Sequence, residues 1–308
     1  MNAGAPESAI ELTEAHVFGS ADQLRAVRVS AADTRPFLAQ SPVCGALSRY
    51  CISHAGVHRA GHPFRVVRTH QSGTFFLASL AGEGRVLADG AWKRVPAGTA
   101  FLLLPHMLNA FHAVETQPWE FCWVRFEEPP HQQPAIAASS PRLARYDGEA
   151  LRHSILGLHA ESLPGGTPET VHHWVELIHG YVQRFTRPWQ RDDRLSRLWE
   201  QVAAQLDGDW SLQLLAAAAH VSAEHLRRLC QRELGRSPMH QVTFLRMRRA
   251  AQLLAETGLK VELVAAEVGY RDPFVFSKTF KKWTGWRPSD FPGRRQRSQQ
   301  IPPGVSPR

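Results

Sequence analysis

The chain has 308 residues, enough for about two domains, and its 43% hydrophobic and 21% charged content is ordinary for a globular protein and names no class by itself. The formal net charge of +8 is located: 16 Lys and Arg face 8 Asp and Glu between Asp209 and Arg297, while the rest of the chain balances. The four cysteines, Cys44, Cys51, Cys122 and Cys230, lack paired spacing, which argues against structural zinc and against a secreted disulfide framework. Met1 to Ser20 does not read as a signal peptide, and no apolar run approaches the ~20 residues needed to span a bilayer, so the expectation is a cytoplasmic protein.

From about Leu24 to Phe126, short β-type runs are broken by Gly and Pro. Thr74 to Leu80, Arg85 to Leu87, Phe101 to Leu104 and Trp119 to Phe126 read as strands, and Asp89-Gly90 is a hairpin pair because Gly accepts positive φ. Many short strands with turns between them predict a sandwich or barrel. Residues 127–142, rich in Pro and Gln, read as a surface connection. Helices follow at about 147–162, 168–186 and 192–206. The second carries Val171, Trp174, Val175, Ile178, Tyr181, Val182 and Phe185 at helical spacing, a stripe for either a core or a dimer interface.

Between 211 and 288 the chain repeats itself once. Leu212, Leu215 and Ala216 recur as Val261, Val264 and Ala265 at an offset of 49; Leu226, Gly235 and Pro238 recur as Phe276, Gly285 and Pro288 at an offset of 50. The slip falls in a turn, where an insertion is cheapest. Each copy reads as a short apolar-faced helix, a tight turn and a second helix capped by Ser222 or Asp272 and ended by Gly235 or Gly285. This is helix-turn-helix grammar stated twice. On the first second-helix, Leu226, Leu229 and Cys230 are expected inward, leaving Glu224, Arg227, Arg228, Gln231 and Arg232 outward. On its counterpart, Phe276, Thr279 and Phe280 are expected inward, leaving Phe274, Ser277, Lys278, Lys281 and Lys282 outward. With the adjoining Ser222, His225 and Arg271, these are the candidate contacts to double-stranded DNA, base edges near the helix start and phosphates further along. Arg227 or Arg228 suits a bidentate contact to guanine. A connecting helix from about Met239 to Glu256 spans roughly 27 Å, enough to set the two helices in successive major grooves about 34 Å apart.

The stretch Val264 to Pro288, with Leu245-Arg-Met-Arg-Arg-Ala250 and Leu253-Leu254 before it, closely resembles the DNA-binding domain of AraC/XylS-type transcription regulators over roughly 192–292. Cys230 stands where that family usually has Phe, and Phe291-Pro292 replaces the usual aromatic-Arg ending. Gly82-x-Gly84, Pro96-x-Gly98, Leu104-Pro105, Pro118-Trp119 and Trp123-Val124-x-Phe126 resemble, more weakly, the cupin domain of arabinose-type regulators. That resemblance implies a ligand inside a β-barrel, with Arg68 or a neighbouring Arg as polar anchor and Asn109, Phe111, Trp119 and Trp123 near the pocket. Core packing is the alternative for the two tryptophans. It also implies a multidomain fold: an all-β cupin-like sensing domain at 20–135, a helical dimerisation or linker region at 145–187, an all-α double helix-turn-helix domain at 190–293 and a disordered tail at 294–308. The expected partners are double-stranded DNA, a small-molecule effector such as a sugar, a second copy of the chain and, for an activator, RNA polymerase. No enzyme activity, cofactor or metal is expected. His54, His58, His62, His70, His106 and His112 do not form a metal-cupin pattern, and the segment around His58 and His62 does not read as a helix. A metal-dependent cupin enzyme and a constitutive DNA-binding protein remain as competing readings.

Overall fold

The computed structural model describes residues 15–19, 22–68, 73–88, 90–105, 107–114, 117–127, 140, 142–186 and 193–291. Asp89, His70, His106, Pro292, most of the 127–142 connection and the expected disordered tail lie outside them.

The first part is all-β. Strands β1 (Ala15–Val17), β2 (Gln23–Arg28), β3 (Ile52–Ala60), β4 (Arg65–Arg68), β5 (Phe75–Ala81), β6 (Glu83–Ala88), β7 (Ala91–Pro96), β8 (Thr99–Leu103), β9 (Asn109–Ala113), β10 (Trp119–Phe126) and β11 (Leu143–Arg145) form two sheets. Their orders are β1-β4-β9-β6-β7 and β11-β8-β5-β10-β3-β2, and the strand pairings are antiparallel.

Strands β5 and β10 are apolar on both faces because both are buried. Phe75, Leu77, Trp119, Phe121 and Trp123 join an aromatic core with Phe64, Phe101 and Phe111. The alternate residues Phe76, Ala78, Cys122 and Val124 belong to a second core with α1 (Glu149–Glu161) and α2 (Pro168–Thr186). A one-residue slip in β10 would exchange these two sets. Gly56 lies opposite Trp123 in the β3–β10 register. A Cβ there would stand 2.4 Å from the Trp123 ring, so the indole lies across β3 only because that position is glycine.

The helical expectations meet α1, α2 and α3 (Asp193–Ala204) within a few residues. Val175, Ile178, Val182 and Phe185 of α2 are buried against α1 and the outer face of the sheet, so that stripe is core within one chain. Helices α4 (Leu212–Ala218) and α5 (Ala223–Leu234), then α6 (Pro238–Glu256), then α7 (Val261–Glu267) and α8 (Pro273–Thr284) form the two repeat copies and their connector.

Candidate nucleic-acid interface and effector cavity

The second helix of each copy starts and stops by side-chain chemistry. Ser222 Oγ accepts from His225 N (3.1 Å) and Asp272 Oδ1 from Phe274 N (2.7 Å), satisfying helix donors that have no partner within the helix. Both helices end on left-handed glycines, Gly235 at φ 69° and Gly285 at φ 84°.

Leu226, Leu229, Cys230, Phe276 and Phe280 are buried as expected. Thr279 is not: it is half-buried, its hydroxyl donates to Val275 O (2.9 Å), and the inward position one turn on is taken by Trp283. The candidate contacts Ser222, Glu224, Arg227, Arg228, Gln231, Arg232, Arg271, Phe274, Lys278, Lys281 and Lys282 are exposed, and His225 and Ser277 are half-buried. Arg227 lies 3.4 Å from Glu224, Arg232 lies 2.5 Å from Glu233, and Arg271 lies 2.6 Å from Asp209. Such exposed pairs are weak and can be exchanged for phosphate at little cost. At the start of α8 the chain instead presents apolar surface: Phe274 is 86% exposed and Val275 53%.

Not all basic residues of this region face outward. Arg246 of α6 donates to Leu206 O (2.9 Å) and Gly208 O (2.7 Å), tying the α3–α4 turn to the connector. Arg236 is buried, with its guanidinium carbon 4.0 Å from the Phe244 ring centre. The charge excess therefore overstates the groove-facing charge by these two side chains.

The β-structure encloses a cavity of about 320 Å³, open solvent at its mouth included. Its wall is aromatic: six phenylalanines (18, 37, 64, 75, 111 and 121) and Trp123, with Leu24, Val66, His58 and Arg68 completing it. The Arg68 guanidinium carbon stands 4.6 Å from the Phe75 ring centre and 5.7 Å from that of Phe111. His58 Nε2 lies 3.1 Å from Asp22 Oδ2, and Asp22 also accepts from Gly61 N (2.6 Å) and Gly19 N (3.1 Å). Burial lowers the His58 pKa, against the opposing pull of Asp22. Phe18 stacks on Phe37 and His58.

Of the five residues expected near the ligand, Arg68, Phe111 and Trp123 line the cavity. Asn109 and Trp119 do not: Asn109 is fully buried with Nδ2 donating to Leu104 O (2.9 Å), and the Trp119 indole donates to Ser79 Oγ (2.9 Å). Both complete a fold rather than a wall. The alternation that marks Trp119 and Trp123 also marks Phe121, and that of β5 marks Phe75, so both wall residues are legible in the strand pattern. Phe18 and Phe37 lie outside the regular runs, and nothing in the local pattern reveals them. Among the described residues no cluster of His, Cys, Asp or Glu is placed to hold a metal ion.

The two parts touch where the second helices end. Leu108 N donates to Thr284 O (2.9 Å). A Cβ on Gly285 would lie 2.8 Å from the Leu108 side chain, one on Gly235 2.3 Å from Leu143 O, and one on Gly90 2.8 Å from Lys282 O. Lys282 therefore sits at this seam.

A β-structure with an aromatic-walled cavity, joined to paired helix-turn-helix units with exposed outer faces, defines the class of a DNA-binding regulator with a ligand-binding domain. Residues 54–229 match the model of the AraC-like ligand binding domain, and residues 215–295 match that of a helix-turn-helix domain. The chain belongs to the AraC family of transcription regulators, and it is a regulator rather than an enzyme. It is similar to the MmsAB operon regulatory protein of Pseudomonas aeruginosa, at 28% identity over 80% of this chain and 82% of that protein. It is also similar to the lactose operon transcription activator of Staphylococcus xylosus, at 22% identity over 65% of this chain and 77% of the relative. Among solved structures, ToxT of Vibrio cholerae aligns at 10% identity over 76% of this chain and 96% of its own, with a TM-score of 0.39. No described helix is long and apolar enough to cross a membrane.

Proposed function

We propose that the chain is an effector-controlled transcription activator that binds as a homodimer, with α5 and α8 of each protomer entering successive major grooves on one face of the DNA. The observation that carries this is the exposure of the candidate contacts along both second helices while their opposite faces are buried. The connector α6, 19 residues long, spans about 28 Å at ~1.5 Å per residue, close to one turn of DNA. Arg227 or Arg228 is the candidate for reading guanine, and Lys278 and Lys281 are the candidates for phosphate. Ser222, Glu224, His225, Gln231, Arg232, Arg271, Phe274, Ser277 and Lys282 complete the surface. The units divide near 20–135, 145–187 and 190–293.

The effector enters the aromatic cavity. The relative named for the lactose operon supports a carbon source, a sugar or a related compound, as its kind. The signal leaves through β9. Arg68 pairs with Asn109 in the β4–β9 register, Asn109 holds Leu104 O, and the neighbouring Leu108 holds Thr284 at the end of α8. Occupancy that shifts β4 or β9 thus reaches a recognition helix through one short turn.

The test is footprinting and anisotropy titration on the DNA flanking this gene and its neighbours. Protection of two successive grooves is expected, with affinity lowered by Arg228→Ala and by Lys278→Ala. Unchanged footprints and affinities in both variants would refute the groove assignment. A reporter fused to the same DNA reads the sign of control, and loss of expression on deletion of the gene is expected.

A further inference from the structure

The two second helices differ most at their first exposed turn. Under the 50-residue offset of the repeat, Phe274 and Val275 of α8 occupy the positions of Glu224 and His225 of α5. Phe274 is 86% exposed and Val275 53%, so neither side chain completes the core of its own copy. The contact with the β-structure lies at the other end of α8, at Thr284 and Gly285. At ~1.5 Å per residue that end is about 15 Å from Phe274, so the seam leaves the start of the helix uncovered. An aromatic ring left in water costs free energy that burial against an apolar group recovers.

The surroundings of these two side chains narrow what can cover them. Phe274, Lys278, Lys281 and Lys282 recur at i, i+4, i+7 and i+8, which is one face of a helix. The three lysines are exposed and α8 contains no acidic residue, whereas α5 sets Glu224 3.4 Å from Arg227. An apolar start followed by lysines fits a polyanion that carries apolar groups beside its charges. The major groove of duplex DNA is such a surface, with thymine 5-methyl groups on its floor and phosphates along its walls. The rise from Phe274 to Lys281, about 10 Å, is close to the groove width of about 12 Å, so a ring on the floor leaves the lysines at the backbone. The start of α8 is unsuited to a phosphate, because Asp272 Oδ1 accepts from Phe274 N (2.7 Å) and sets a carboxylate there.

We infer that α8 reads thymine through its 5-methyl groups, with Phe274 and Val275 packed against them, while α5 reads its half-site through hydrogen bonds. The inference rests on the reading of α5 and α8 as groove-entering helices. It makes the binding site chemically asymmetric: a guanine-bearing half under α5 and, one helical turn away, a thymine-bearing half under α8.

The experiment uses the full chain to select duplexes from a pool randomised over about 30 base pairs, roughly three helical turns, and titrates the selected duplex by anisotropy. Its thymines are then replaced, in one half-site at a time, by deoxyuridine, which pairs with adenine as thymine does and lacks only the methyl. Replacement in one half alone should weaken binding about 4-fold for each methyl contacted, the ratio that burial of one methyl-sized group supplies. Phe274→Ala should lose most of that ratio, and Phe274→Leu, still apolar, should restore part of it. Both variants should melt as the parent does, because the ring is exposed. Equal affinity for the thymine and deoxyuridine duplexes overturns the methyl reading, and so does a ratio that Phe274→Ala leaves unchanged. In either case a salt slope reduced by Lys278→Ala keeps α8 on the DNA, so the groove reading survives that loss. Affinities and slopes that neither Lys278→Ala nor Phe274→Ala changes overturn the groove reading itself, and this proposal with it; so does failure to select any duplex. If Phe274→Ala binds DNA as the parent does but loses reporter expression, the face belongs to a protein partner and the proposal is overturned.

Discussion

The two helix-turn-helix copies share one skeleton and differ in how it is filled. At the turn between helices the second copy has Gly269 at φ 79°, whereas its counterpart, His220, holds φ 55° with a full side chain. Inside, Phe280 packs against Phe276 and Phe291, while the matching position in the first copy is the smaller Cys230, whose thiol burial pushes up to about 12. Outside, α5 carries arginines beside glutamates of its own helix, and α8 carries an exposed Phe274 followed by lysines. The skeleton is thus set by a few caps, glycines and inward apolar positions, and the outer face is left to vary with its partner.

The largest effect should come from the core of the copy built on aromatic residues. Phe276→Ala should cost about 3–5 kcal/mol and abolish DNA binding, and Leu226→Ala about 2–5 kcal/mol, both read from chemical denaturation. Equal, small losses would mean that the copies are not separately cored.

The turns come next, and they should respond with opposite signs. His220→Gly should stabilise by up to about 1–3 kcal/mol by relieving a left-handed non-glycine residue. Gly269→Ala should destabilise, since its Cβ would stand 2.6 Å from Leu206 O. Melting curves of the two variants check the sign.

On the outer faces, Arg228→Ala should cost about 1–3 kcal/mol in operator affinity and relax preference at one base pair. Lys278→Ala should weaken all sequences alike and reduce the salt slope by about 1. Titrations at several salt concentrations separate the two, and identical salt slopes would erase the proposed division of labour between the copies.

The smallest effect contrasts the helical part with the β-structure and concerns pH. His54 is buried with its folded pKa well below the ordinary value near 6.5. Below that value the unfolded chain binds the proton and the folded chain does not, so stability is full above it and falls as pH drops. His54→Gln, which keeps an acceptor for the Trp123 indole, should flatten the fall between pH 7.5 and 5. An unchanged slope would assign the acid sensitivity elsewhere.

The local pattern of the chain determined the helix-turn-helix pair almost to the residue. Caps at Ser222 and Asp272, glycines at 235, 269 and 285, and inward residues at helical spacing are instructions that act within one or two turns. The strand pattern likewise fixed β10, whose two apolar faces required cover on both sides. What only the tertiary structure decided is which apolar residues bound an empty space. Trp119 and Trp123 stand four residues apart on one strand face, yet one closes the core against Ser79 and the other lines the cavity with Phe18 and Phe37. Cavity walls are set by where two sheets and a loop fail to meet. That is a property of distant segments, and alternation along one strand does not encode it. The same holds for Arg236 and Arg246, whose burial depends on the carbonyls and the ring that distant segments bring beside them.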